Sequence, residues 1–387
     1  MKRIQALLLA AALLAALFAG CAAGQKYPKD DAYHPETDAQ YSMQFGGQYR
    51  YFAEAENGCY MILRNILYYL DSGAMEPVPV CPRPDCLHED ESCSAFFDLR
   101  QGAVFCADGK LYVLYSADRR YVLAEVSPDS GTRKTCLELE ADIVQNRTVV
   151  HRGHFYAASG AYREDGAAAT AVLSWDLSRP GKAPERIAEI PPLEKEGGSV
   201  PVSELTAHGH YLYFCQQDRM GRVDLNAPKK GIEFLFEDAA DKGFLTFCGD
   251  SALFTTVEWL DRGEYRNDVW VSQELRTAET LLTGLYGGAS AADERWLYHL
   301  DDMRREDTAL PDDPLYGKSL KVYDLSGELI DSISVSEMSE SHMYMFYIAR
   351  EYIFLASADS HVWYIDKADI GTGHAQLHIL TDFGYLE

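Results

Sequence analysis

The stretch Phe105-Cys106-Ala107-Asp108-Gly109-Lys110-Leu111-Tyr112-Val113 decides the fold. Two apolar runs flank an Asp-Gly pair, and Asp-Gly supplies the positive-φ residues that a tight hairpin turn needs. The phrase recurs in both directions along the chain. An earlier copy sits at Glu56-Asn57-Gly58-Cys59-Tyr60. Later copies are His151-Arg152-Gly153-His154, His208-Gly209-His210-Tyr211, Cys248-Gly249-Asp250-Ser251, Asp293-Glu294-Arg295-Trp296 and Arg350-Glu351-Tyr352-Ile353. Successive turns fall roughly 40 to 57 residues apart, the range of periods shown by propeller blades.

A third run completes each unit and ends near an Asp. It reads Tyr69-Leu70-Asp71, Trp175-Asp176-Leu177, Val223-Asp224-Leu225, Tyr323-Asp324-Leu325 and Tyr364-Ile365-Asp366, each followed by a turn and a last run. Runs such as Leu111-Tyr112-Val113-Leu114-Tyr115 are apolar on both faces, as strands are when neighbouring sheets cover both sides. Four strands per unit and seven units predict an all-β chain, a seven-bladed β-propeller of four-stranded antiparallel blades over residues 41–387. Six or eight blades stay open, because the first and last units are the least regular. A chain of 387 residues would ordinarily suggest two domains, but the period argues for one closed ring. Closure is expected through strand pairing between the two ends.

The N-terminus reads as an address. Lys2 and Arg3 precede an Ala/Leu run over residues 4–19, the length of a secretory h-region and short for a spanning helix. The run ends in Leu17-Phe18-Ala19-Gly20-Cys21, which resembles the bacterial lipobox, with Phe18 where Leu is usual. That resemblance implies cleavage after residue 20 and diacylation of Cys21; an ordinary signal peptide is the alternative. Two or three acyl chains would hold a protein stably at a membrane. Residues 21–40 are polar, lack an apolar period and read as a flexible tether. The expected location is therefore a bacterial cell membrane, lipid-anchored and facing outward.

Charge narrows the partners. The formal net charge is −25, and removing residues 1–20 takes away two cations and no acid. Such a field repels phosphate backbones, so no nucleic-acid partner is expected. The whole chain resembles bacterial lipoproteins that carry a propeller of the WD-repeat, quinoprotein-like or YWTD type. Trp175-Asp176-Leu177 and Leu297-Tyr298-His299-Leu300-Asp301 carry the likeness, which implies architecture and no particular activity. No quinone-docking Trp pattern repeats. Ser127-Pro128-Asp129-Ser130-Gly131-Thr132 resembles half of a sialidase Asp-box, but it occurs once and lacks the aromatic residue.

Two features point to sites. Cys81, Cys86, His88 and Cys93 form a C-x4-C-x-H-x4-C cluster, the soft ligand set of a closed structural zinc site. Disulfides are the competing reading, with Cys59 as a partner for the odd thiol. Either way the group would pin a long loop. The other cysteines within strands, Cys106, Cys136, Cys215 and Cys248, read as small core residues. His151/His154 and His208/His210 lie in equivalent hairpins and read as polar turn residues, with a bridging metal as the sharper alternative.

The second feature is the set of second-to-third-strand loops, in which an acid beside a base recurs. Arg119, Arg163, Arg219, Arg262 and Arg304 fall there, with Trp259. Ring closure would aim these loops at one rim. Arginine forks suit carboxylates, sulfates or sugar hydroxyls, and Trp259 would stack on a sugar ring or peptide. Solvated loops with local ion pairs are the plain alternative. The expected function is a surface-anchored binding or scaffold module for a glycan, peptide or protein partner. The alternative is an extracellular propeller hydrolase or lyase acting on a carbohydrate, which would need a tight titratable group in the central funnel. No Gly-x-Ser-x-Gly elbow is present, and no catalytic residue is assigned.

Overall fold

The computed structural model describes residues 27–40, 51–97, 102–117, 120–139, 148–162, 168–195, 198–200, 202–237, 241–248, 251–259, 265–273, 277–286, 289–300, 319–338, 343–357 and 361–382. Seven four-stranded antiparallel sheets follow one another along the chain, each built of four consecutive strands. They span 52–79, 103–139, 148–190, 204–237, 241–286, 289–334 and 343–382, here blades 1 to 7. The ring is a seven-bladed β-propeller. A small hairpin of Leu193–Lys195 and Gly198–Val200 is added between blades 3 and 4. No helix among the described residues is long and apolar enough to cross a membrane.

The repeated phrases explain the ring. The first strands, such as Phe52–Ala55, Ala103–Ala107 and Ala289–Ala292, lie side by side around the axis, where small side chains let backbones approach. At the inner hairpins, which join first to second strands, Asp108 and Gly109 take φ of 55° and 67°. This left-handed pair is what an Asp-Gly hairpin turn requires. The Asp that ends each third run caps the outer hairpin, which joins third to fourth strands. Asp324 Oδ1 accepts the amides of Ser326 and Glu328 (2.9 Å each), and Asp224 Oδ1 accepts those of Asn226 and Ala227. The recurring Asp is thus an Asx-turn residue.

Burial follows the sandwich. Side chains of blades 2 and 3 share one core through Leu114, Leu123, Phe155 and Trp175, and blades 6 and 7 share another through Tyr298, Leu320, Phe346 and Leu355. Fourth strands are only partly buried, with four of the eight positions exposed in Thr132–Leu139. In blades 2 to 7 the pairing of third and fourth strands shifts register, once in each blade except blade 5, where it shifts twice. Such bulges increase twist and swing the outer strand away from its neighbour.

Closure differs from the expectation. Blade 7 contains strands Met343–Ile348 to His378–Asp382, and no described strand from one end of the chain joins the sheet of the other. The seam closes by packing instead. Phe52 stacks on Tyr347 (4.6 Å between centroids) and on Phe354 (5.7 Å), inside a core that runs from blade 7 through blade 1 to blade 2.

Candidate functional site

Residues 27–40 lie docked across the inner-hairpin face, so this part of the expected flexible tether is a strap held by named contacts. Arg152 is the clasp. It occupies the inner hairpin of blade 3 at φ 45°, where Asp or Asn would be ordinary, and is 6% exposed. Its Nε and Nη2 donate to the two carboxylate oxygens of Asp38 at 2.7 and 3.0 Å. Nη1 donates to the carbonyls of Pro28 and Asp30, and Nη2 to that of Ala32 (2.9 to 3.0 Å). Asp38 is fully buried and also accepts from the His34 amide and the Thr37 hydroxyl. A buried pair of this kind stands because every donor and acceptor is used.

The strap touches four consecutive blades. Its Gln40 side chain pairs both ways with the Glu54 backbone of blade 1 (2.7 Å each). The Glu36 and Thr37 carbonyls accept the amides of Asp108 in blade 2 and Arg152 in blade 3. His151 is buried between strap and ring. Its Nδ1 accepts from the Ala39 amide (3.0 Å) and its Nε2 donates to the Gly209 carbonyl of blade 4 (2.8 Å). These partners fix the neutral tautomer, and burial lowers the ring's pKa to about 4. Tyr27 donates to Asp108 (3.1 Å) and packs where a Cβ on Gly153 would collide. Asn226 donates to the Lys29 carbonyl (2.8 Å).

The strap roofs part of a cavity of about 1250 Å³ at the axial mouth. Tyr33, Glu36 and Gln40 line it from the strap, with Glu54, Trp296 and Arg350 from the ring. Its carboxylates tie blades together. Burial raises the Glu54 pKa, while the carboxylate accepts the Arg350 amide at 2.7 Å across the seam. For Asp293 burial pushes the same way, but Lys367 of blade 7, the Trp296 amide and the Tyr298 hydroxyl outweigh it and lower the pKa. Lys367 Nζ lies 2.5 Å from Asp293 Oδ2.

The cysteine cluster forms a second centre. The loop over 80–97 leaves blade 1 and wedges against blade 2. The Ala95 carbonyl accepts the Leu67 amide, and the Phe97 amide donates to the Asn65 carbonyl. From blade 2, Arg133 stacks over Phe97 at 4.0 Å. Its guanidinium donates to the carbonyls of Cys93, Ser94 and Phe96. So held, the donor atoms of Cys81, Cys86, His88 and Cys93 lie within 4.8 Å of one another. In a tetrahedral site, thiolates bound at about 2.3 Å stand ~3.8 Å apart, so this group can hold a metal ion. Burial would raise the Cys81 thiol, but hydrogen bonds from the Arg83 amide and the Ser94 hydroxyl lead a set that brings it to about 6. Cys93, deeper, is raised by burial. The Arg83 guanidinium reaches Cys86 Sγ at 3.0 Å, and the Ala95 amide reaches Cys93 Sγ at 3.3 Å. Cys59 is a free thiol in the core of blade 1, not at this loop.

Cys21, Arg119, Arg163, Arg262 and Arg304 lie outside the described residues, as does the Trp259 side chain. Arg219 sits at a middle hairpin, which joins second to third strands, and is half-buried. It donates to Gln216 Oε1 (2.9 and 2.6 Å) and to the Pro191 carbonyl, and covers Phe234. A ligand would compete with these contacts. Cys136 and Cys215 are buried and Cys106 half-buried, while the Cys248 side chain is outside the described set. The histidine pairs divide between strap and ring: His151 holds the strap and His210 lies against its Asp31. His154 contacts the Arg152 carbonyl, and His208 stacks on Phe247 at 4.5 Å.

The strap was missed in the sequence, and the available signal was Arg152 at a turn position that favours Asp, Asn or Gly. No family model matches the chain, and no curated protein matches it. Solved structures similar to it include the tricorn protease, at 9% identity and TM-score 0.49, over 92% of this chain and 36% of that one. The chain thus spans about a third of that protease. An oligogalacturonate lyase in complex with manganese matches at 12% identity and TM-score 0.47, over 76% and 79% of the two chains. BamB from Moraxella catarrhalis matches at 12% and 0.42, over 84% and 98%. Likeness at this distance concerns the fold alone.

Proposed function

We propose that this protein is a lipoprotein, anchored through Cys21 and facing outward, whose propeller binds a glycan, peptide or protein at the middle-hairpin rim. The observation that carries the reading is the strap. It covers the inner-hairpin mouth and leads back toward Cys21, which leaves the opposite rim as the face open to a partner. On that rim Arg119, Arg163, Arg262 and Arg304 are the proposed forks for an anionic or hydroxyl-rich polymer, with Trp259 as the stacking residue. Arg219 joins them only by releasing Gln216 and Pro191, so its proposed part is smaller. The acidic net charge gives such a ligand no long-range attraction, so contact is made at short range and weakens modestly with salt. We further propose that Cys81, Cys86, His88 and Cys93 hold one structural zinc ion, which fastens the loop between blades 1 and 2.

Glycan-array and pull-down binding tests the rim. Arg262→Ala and Trp259→Ala should each reduce binding, and His208→Ala, on the strap side, should leave it unchanged. Loss confined to His208→Ala would reverse the assignment of faces.

A further inference from the structure

We propose that Arg133 is a positioning residue of the metal centre, so that blade 2 sets the affinity of a site whose four ligands all belong to the loop after blade 1. The inference rests on the metal reading of Cys81, Cys86, His88 and Cys93, and deepens it by naming what holds them in place.

The ligands sit on backbone with little order of its own. Among the described residues, the bridge between Ile66 and Phe96 is the one sheet pairing in 80–97. His88 takes φ 59°, in the left-handed region, and its Nδ1 lies 3.1 Å from Cys93 Sγ. Ordering such a loop costs entropy, which is subtracted from its affinity for an ion unless other contacts have ordered it first.

Blade 2 supplies those contacts. Arg133 Nη2 donates to the carbonyl of the ligand residue Cys93 at 2.6 Å, to that of Ser94 at 2.7 Å and to that of Phe96. Its Nε donates to the Ser94 carbonyl at 3.0 Å. The guanidinium covers one face of Phe97, and Tyr115 of blade 2 meets the same ring edge-on at 5.3 Å, which leaves Phe97 only 1% exposed. The outer hairpin of blade 2 makes room for the loop. At Gly131, with φ 64°, a Cβ would stand 2.6 Å from Pro82 Cδ and 2.6 Å from Ser94 Oγ. The 127–132 phrase, half of an Asp-box by sequence, is here the seat of the metal loop.

None of the bonds from Arg133 to the loop ends on a sulfur or an imidazole nitrogen. Replacing it therefore leaves the donor set intact and loosens its placement. Arg83 is the contrasting cation, since its guanidinium reaches Cys86 Sγ itself. Arg133 acts through shape, because its planar fork spans a row of carbonyls, and a lysine would keep the charge without the fork.

Cobalt(II) and zinc titrations of the full chain test this. Arg133→Met should weaken both by about 10- to 100-fold, the usual effect of removing an outer-shell partner of a metal ligand. The visible spectrum of bound cobalt should stay that of the unmutated chain, because three sulfurs and one nitrogen still bind. Arg133→Lys should remain about tenfold weak or worse. Full affinity in Arg133→Lys would assign the effect to charge and overturn the proposal, as would full affinity in Arg133→Met. The unmutated chain gives a second reading that needs no variant to fold. Coupling is reciprocal, so saturating zinc should slow modification of Arg133 by a dicarbonyl reagent by a similar factor, read by peptide mass. Exposed Arg120 should react equally with and without zinc. Equal rates at Arg133 with zinc bound would overturn the proposal. An unmutated chain that takes up neither ion would instead overturn the metal reading on which it rests.

Discussion

Replacing Arg152 with Met keeps the apolar stem and removes the group that neutralises Asp38. Asp38 has no exposed surface, and its carboxylate takes two of the five guanidinium hydrogen bonds. Breaking a buried pair by removing one partner costs about 3–5 kcal/mol, because the other charge is left without compensation. The chain can escape that cost by undocking residues 27–40 and returning Asp38 to water. The loss should therefore fall on the strap, while the seven sheets stay folded. Native-state hydrogen exchange reads it at the amides of Ala39 and Arg152, which donate to His151 and to the Thr37 carbonyl. Strap opening that easier by 3–5 kcal/mol accelerates exchange by about 10² to 10³ or more. The Arg152→Met/Asp38→Leu double variant should recover most of the protection, since an apolar pair replaces the ionic one. Less than tenfold acceleration in Arg152→Met would refute the clasp.

Three further outcomes follow from the same contacts. His151 binds its proton less tightly folded, with a pKa near 4, than unfolded, near 6.5, so the unfolded chain takes up more protons between these values. Strap protection should be full above pH about 6.5 and fall as pH drops toward 4, by up to about 3 kcal/mol, and a flat pH profile in His151→Gln would assign the effect. Protein prepared without chelator should carry about one zinc per chain. Chelation or Cys86→Ser should open residues 80–97 to protease without loss of sheet, and stoichiometric disulfides at these cysteines would count against the metal. Phe354→Ala removes the ring that meets both Phe52 and Tyr347 at the seam. It should cost about 3–5 kcal/mol by denaturant melting, and a loss under 1 kcal/mol would show that seam packing does not hold the ring closed.

The blades were legible because their signals are local. Asp108-Gly109 encodes a hairpin by its own φ preferences, and Asp324 caps its own turn, so both survive reading one unit at a time. The cluster of Cys81, Cys86, His88 and Cys93 was legible for the same reason, since a short loop cannot take its ligands far apart. The strap was not. Pro28, Asp30 and Ala32 are held by their carbonyls, a group that nearly every residue carries and no side-chain pattern marks. Closure was misread because strand pairing between ends is the general remedy for open edges. Here the stack of Phe52 on Tyr347 joins two complete sheets face to face. The register shifts of third and fourth strands leave no residue signature either, as Leu123/Ala124 and Met220/Gly221 show.

A crystal structure of the mature chain tests the central claim most directly, because the assignment of both faces depends on where residues 27–40 lie. The account expects them across the inner hairpins of blades 1 to 4, with the Arg152 guanidinium bonded to Asp38 and to the carbonyls of Pro28, Asp30 and Ala32. Residues 27–40 seated on the middle-hairpin side, or Arg152 turned to solvent with Asp38 exposed, would contradict it.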